Sequence, residues 1–556
     1  MSDPIRPQGF SVTRRELLRR SASVTALASL GTAAPSLSRV AHAQAPKRGG
    51  TLTLRLWDPP HWDPYLTTAF KTQIPYSFTH SRLVRHKAGP ATPPGSFPLE
   101  GDLAESWSQP DDTTYVFKLR RGVRFHPKPP VNGRELTAED VVYSMERFRT
   151  VPGNPQAYML AALDKVEALD RYTVKFTVKE PFAWFLDTLA NPVTLAIVAR
   201  ECVEKFGDLK KAEAVVGTGP WMLDSYRPNA GYTLVRSPSY FLSGLPYIDR
   251  VEVSVDEDNG SRLAAFLGGK YDLGWEFPGA INRTDWVQIK EPLTRRRPGI
   301  QTAEYPSNVA QKVMMRTDRA PFSDVRVRRA MSHALNRQGL IEAVLEGGGI
   351  TNGAVPAALK EWGLPVTQLG EGSRYYKFDP VEARHLLAEA GYPHGFSATM
   401  DFHAFGSTAL IDAMQLVVKD FKDVGIEVKL NQKEYGAFVS STVVGNYEGM
   451  YFGPFTPFLD PDSYLFTNYY PGHPRNIARI NDPALTGMLT RQRRLREPAR
   501  RRAVIHDIQR LIAAQQYLVE VYSDVLIFVW DGALKNYGPN LGFDYGSRLL
   551  SAWLDR

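Results

Sequence analysis

Gly217–Gly279 reads GTGPWMLDSYRPNAGYTLVRSPSYFLSGLPYIDRVEVSVDEDNGSRLAAFLGGKYDLGWEFPG. Gly217-Thr-Gly-Pro220 opens it as a turn, and Tyr232–Arg236 follows as a strand-like run. Val251, Val253 and Val255 then alternate with Glu252 and Ser254, the period of a half-buried strand. Asn259–Leu267 predicts a short helix stopped by Gly268-Gly269. Tyr271-Asp-Leu-Gly-Trp275 resumes extended chain. This is a strand–helix–strand unit with an aromatic exit, and the exit is expected to lead from one lobe into another.

Upstream, Thr51–Trp57 alternates as a first strand and ends in the aromatic, proline-rich loop Trp57–Tyr65. That loop is either a cleft wall or a packed turn. Tyr115, Phe117 and Leu119 share one strand face, and Tyr172, Val174, Phe176 and Val178 another. Thr137 with Asp140 forms a capping-box-like start to a helix over 138–148. Residues 85–200 read as a strand-rich subdomain.

Downstream of Gly279 the chain turns basic and loop-like through Arg295-Arg-Arg-Pro298. Tyr305–Met315 reads as an extended crossing. Ser323 is expected to cap a helix with Val327, Ala330, Met331, Ala334 and Leu335 inward, ended by Gly347-Gly-Gly349. Asp379-Pro380 starts another helix. A strand at 397–403, a helix at 409–424 and a strand at 426–430 imply an α/β lobe with a partly parallel sheet. Helices at 483–496 and 498–515, an apolar strand or pair at 519–530 and a tail over 534–554 complete the chain.

The 556 residues allow two to four domain-sized units. Half of the net charge of +8 sits in the first 43 residues, which hold six arginines against two acids. The rest carries too weak a field to suggest nucleic-acid binding. The single cysteine, Cys202, excludes an intramolecular disulfide and a Cys-rich metal site and reads as a buried thiol. Arg14-Arg15 before Leu17-Leu18, an uncharged 21–38 stretch and Ala41-His-Ala43 read as a twin-arginine export signal over 1–43. The mature chain is then expected to be periplasmic.

Four segments carry a family resemblance: Leu103–Tyr143, Gly217–Ala265, Ala320–Ala330 and Phe378–Pro393. In this order they resemble the periplasmic solute-binding proteins of peptide/nickel/oligopeptide ABC importers (solute-binding family 5). The resemblance implies the α/β, two-lobed periplasmic binding protein fold with an extra subdomain in the first lobe (type II, cluster C-like). It implies a first lobe over 44–300, a second over 301–525 and a C-terminal return over 526–556. It also implies a monomer without cofactor that hands a peptide-like or other organic solute to inner-membrane permease subunits. A metal chelate, or presentation of the ligand to a sensor instead of an importer, are the other readings.

In peptide-binding relatives an acid three positions before an acid–Pro dipeptide holds the peptide ammonium. Aligned on Asp460-Pro461, that position is Pro457, which argues against ordinary peptides with a free ammonium. The candidate ligand contacts are Tyr447, Tyr451, Phe452, Gly453, Phe455, Thr456 and Pro457, with Trp57, Trp275 and Trp530 at strand ends. Asp460 or Asp462 could serve the peptide ammonium instead but read as caps of the next helix, and Arg316 could meet an anionic group but reads as a surface residue. No G-x-S-x-G, H-E-x-x-H, C-x-x-C or P-loop is present, so no enzyme chemistry is expected. His61, His403 and His473 could assist a metal-chelate ligand but read as isolated surface or turn histidines, and no metal site is expected.

Overall fold

The chain begins its sheets with Thr51–Leu56, whose Leu52, Leu54 and Leu56 are buried and whose next residue, Trp57, is half-buried. In the computed structural model this strand pairs in parallel with Arg250–Val255. Antiparallel partners Gly231–Arg236 and Trp221–Arg227 complete a four-stranded sheet. The structure describes residues 45–192, 195–275, 279–404 and 407–556; the export signal expected over 1–43 lies outside them. Pro46–Arg556 packs as one unit.

The Gly-Thr-Gly-Pro turn joins this sheet to the inserted subdomain. His126 donates its backbone N–H to Gly217 O, and Gly219 donates to Thr79 O. The approach is close enough that a Cβ on Gly219 would lie 2.5 Å from the Thr79 carbonyl carbon. The subdomain is a second, antiparallel sheet in the order Ala104–Ser108, Thr114–Leu119, Thr173–Val178, Leu163–Asp170. Its helix Ala138–Thr150 starts at the expected Thr137–Asp140 capping box. Cys202 is buried there, and burial pushes its thiol up to about 11.

The second lobe is built on an eight-stranded sheet. Phe396–Phe402 runs parallel to Ile426–Gln432 and to Met450–Pro454. Gln311–Met315 is antiparallel to Met450–Pro454 and to Leu518–Trp530. The connecting helix Thr408–Lys422 starts at Ser407, whose side chain accepts from Leu410 N. Leu518–Trp530 is one strand of 13 residues, not a pair. Its first half lies in the second-lobe sheet, and its second half pairs with the crossing strand Gln301–Pro306. Beyond it, Leu534, Leu549 and Leu554 pack into the same core as Leu52, Trp221 and Val251.

Three expectations change. The stretch after Gly279 is a helix, Arg283–Arg296, capped by Asn282 and burying Trp286, Ile289 and Leu293; its many charges and Pro292 mask the apolar face. The helix expected after Ser323 is two, Val325–Ala334 capped by Asp324 and Arg337–Leu345 capped by Asn336. Tyr271–Trp275 forms only an isolated bridge, Leu273 with Trp530.

Replacing Gly219 by Ala is expected to cost about 1–3 kcal/mol in urea unfolding, because backbone at 2.5 Å cannot yield like a side chain. Gly487→Ala, in the helix Pro483–Arg494 with open space around it, is expected to be neutral or to stabilise by about 0.5–1 kcal/mol. Equal effects at the two sites would contradict the close approach.

Candidate functional site

Met450–Pro454 alternates across the second-lobe sheet, and this sorts the aromatic run by face. Phe452 and Met450 point into the helix-packed core, where Phe452 stacks on Phe402 at 6.3 Å. Phe452 is therefore corrected from ligand contact to core, because neighbouring strand positions face opposite ways. Tyr451 shares the other face with Met314, its pairing partner on the adjacent strand. Gly453 pairs with Lys312 on this same side. Lys312 and Glu520 form a buried ion pair at 2.8 Å, and the ammonium sits 4.0 Å from the Phe455 ring centroid. Burial pushes the Glu520 carboxyl up, opposed by Lys312.

Tyr447 is also buried; its hydroxyl donates to Ile477 O and its ring meets Tyr451 edge-on. The strand leaves the sheet as Phe455–Leu459. Phe455 donates its backbone N–H to Ala310 O and stacks on Tyr464. Thr456 and Pro457 are half-buried. Arg475 donates to the Thr456 hydroxyl, and its guanidinium lies 5.2 Å from the Phe458 ring. Leu459 reaches the first lobe: a Cβ on Gly542 would lie 3.8 Å from its Cδ1. Asp460 caps the helix Pro461–Tyr469 by accepting from Ser463 N. Asp462 accepts from Gln492 and pairs with Arg493, so both acids are held inside the fold.

The tryptophans divide. Trp57 is half-buried under the Arg55 guanidinium, 5.0 Å from its ring. Trp530 is half-buried and meets Tyr537 edge-on. Trp275 is 1% exposed in a core with Phe266, Tyr271, Ile281 and Trp286, and is corrected from cleft wall to packing. The aromatic exit turns inward because Phe266, on the helix before it, supplies an apolar partner at 5.4 Å. Arg316 pairs with Asp318 and donates to Tyr447 O. Among the described residues no group of three His, Cys, Asp or Glu could hold a metal ion, and no helix is long and apolar enough to cross a membrane.

Sequence reasoning missed a seam between the inserted subdomain and the second lobe. Trp184 Nε1 donates to Gln492 Oε1 at 2.8 Å, and Ala183 N donates to Arg493 O. Trp184 meets Trp362 at 5.1 Å, and Tyr158 meets His473 at 4.9 Å. Arg493 lies over both Phe182 and Phe466. Three carboxylates gather here. Burial, then repulsion from Asp460, pushes Asp187 up to about 7, opposed by Arg501. Burial and Asp462 push Asp460 up to about 6, opposed by its Ser463 bonds and Arg493. Two cavities, of about 770 Å³ beside Thr486 and Arg491 and about 500 Å³ beside Trp62 and Lys128, are lined by residues of one lobe each.

Comparison with known proteins agrees with this architecture. Residues 98–476 match the bacterial extracellular solute-binding proteins, family 5 Middle. The glutathione-binding protein GsiB of Escherichia coli K12 is 30% identical over 341 residues, which is 61% of this chain and 62% of that protein. The match thus spans less than two thirds of that relative. The periplasmic binding protein DppA from Helicobacter pylori, solved with the peptide STSA, superposes with a TM-score of 0.76 at 24% identity. That match covers 92% of this chain and 99% of DppA. AgaA from A. tumefaciens R10, solved with agropinic acid, gives 0.75 at 22% identity, covering 91% of this chain and 99% of AgaA. The structural likenesses establish the two-lobed periplasmic binding protein fold.

The seam carboxylates make stability depend on pH with a definite sign. Above pH ~7 the folded chain holds Asp187 charged at a cost that the unfolded chain, with an ordinary carboxyl near ~4, does not bear. As pH falls through about 7 the folded form takes up a proton first, so stability rises until the unfolded carboxyl also titrates. Melting curves between about pH 8 and pH 5 are expected to rise more for wild type than for D187N, with D187N the more stable at the alkaline end. Parallel curves would remove Asp187 from the seam's titration.

Proposed function

The chain belongs to the family 5 bacterial extracellular solute-binding proteins, and from that premise we propose that it captures a peptide-like or other small organic solute between its two lobes and delivers it to an ABC importer permease. The observation that carries this reading is the Phe455–Leu459 loop. It leaves the central sheet of one lobe, carries half-buried Thr456 and Pro457, and ends against Gly542 of the other. Binding proteins enclose ligands where lobes meet and hinge. Gly453, Thr456 and Pro457 are the proposed contacts on the second lobe, with Tyr451, Tyr447 and Phe455 behind them as the rigid wall. Trp57 and Trp530 are the proposed contacts at first-lobe strand ends.

The same reading places the mature chain outside the cytoplasmic membrane as a monomer, exported through the twin-arginine route that Arg14 and Arg15 suggest. It divides the chain into a first lobe over 44–300, with its subdomain over 85–200, a second lobe over 301–525 and the C-terminal return over 526–556. The ligands of these similar proteins, glutathione, a peptide and agropinic acid, support a small organic solute as cargo. The proposed action is capture without turnover.

Gently purified protein, denatured and analysed by mass spectrometry, is expected to release one small organic solute. Adding that solute back to the stripped protein should raise stability by about 2.7 kcal/mol at a hundred times its dissociation constant. Release of the solute in chemically altered form after incubation would contradict capture without turnover. A stripped protein unmoved by its own released solute would contradict capture itself.

A further inference from the structure

Arg475 stands beside the proposed cleft, bonded to Thr456 and lying over the Phe458 ring. One Nη donates to the Thr456 hydroxyl, and Nε is buried with no hydrogen-bond partner. No carboxylate of the described residues lies within ion-pair distance of it. Arg493 and Arg501 also have a buried Nε without a hydrogen bond, but other groups hold the arginines nearby. Arg493 pairs with Asp462, Arg494 with Glu180 and Arg496 with Asp112. Arg501 donates to two carbonyl oxygens, of Ala183 and Leu495. Holding a guanidinium half out of water with a single hydroxyl as acceptor is costly unless an anion arrives.

Its position fits that arrival. Arg475 lies near two of the contacts between the lobes: His473, two residues before it, against Tyr158, and Leu459, next to Phe458, against the Gly542 turn. Its backbone N–H donates to His473 Nδ1, and the Phe458 ring supports its guanidinium, so the group is pre-oriented. Thr456, which anchors it, directly precedes Pro457. A positive charge therefore stands against this loop, bonded to the residue next to Pro457.

We infer that Arg475 reads a carboxylate of the captured solute, and that the site selects organic anions instead of solutes presenting a free ammonium there. This inference rests on the capture reading above and names its substrate class. A guanidinium can offer two parallel N–H donors to a carboxylate, a geometry that an ammonium cannot copy.

The test uses full-chain protein stripped of carried-over solute and titrated calorimetrically near neutral pH. The probes are glutathione and its diethyl ester, N-acetyl-trialanine and its C-terminal amide, and the solute identified by mass spectrometry. Acids are expected to bind about tenfold or more tightly than their neutralised partners, equivalent to ~1.4 kcal/mol. R475Q should bring the acids down to the level of the ester or amide and leave those unchanged, while R475K retains part of the difference. Ligand-free melting of both variants checks that they fold. Ester or amide binding as tight as the acid, an R475Q variant with undiminished acid binding, or a released solute without an anionic group would each overturn the inference and leave capture standing. Failure of every probe, the released solute included, would end both.

Discussion

The two lobes share one strand. Leu518–Trp530 hydrogen-bonds to Gln311–Met314 in its first half and to Gln301–Pro306 in its second. Along this single run, Val519 and Val521 pack in the second-lobe core, Ile527 and Val529 against Trp275 and Trp286, and Trp530 against the first-lobe core. A strand that must satisfy its backbone groups in two places fixes the register between them. Its antiparallel partner, Gln301–Pro306, gives the crossing two strands, which restricts lobe motion to bending and leaves little freedom to slide.

The seam between subdomain and second lobe is different in kind. It rests on aromatic rings and guanidiniums, with one buried side-chain bond from Trp184 to Gln492 and three acids held close together. Apolar contact draws the surfaces together while the carboxylates oppose it, and Arg493 and Arg501 offset part of that repulsion.

Much of the fold was legible because its signals are local. Asp379 with Pro380, and Glu497 with Pro498, mark helix starts within two residues, and both helices begin there. The Val251–Val253–Val255 alternation likewise forms the strand it describes. Arg283–Arg296 escaped because Pro292 and six charged side chains hide three apolar positions. Phe452 was misassigned because an aromatic run was read as one surface, while a strand divides it between two. The seam left no trace in sequence, since Tyr158, Trp184 and Gln492 acquire meaning only from partners hundreds of residues away. Arg475 had one oblique signal: the acid absent at Pro457 raised the question of charge, but nothing local identified the residue answering it.

Trp184 and Trp362 face each other across that seam, ring centroids 5.1 Å apart and planes at 67°. Two indoles that close, with Arg501 lying over both, share an excited-state environment that depends steeply on their separation. Parting of these two surfaces would separate the indoles. Such a separation would change their contribution to the near-ultraviolet dichroism, with no dye attached to the chain.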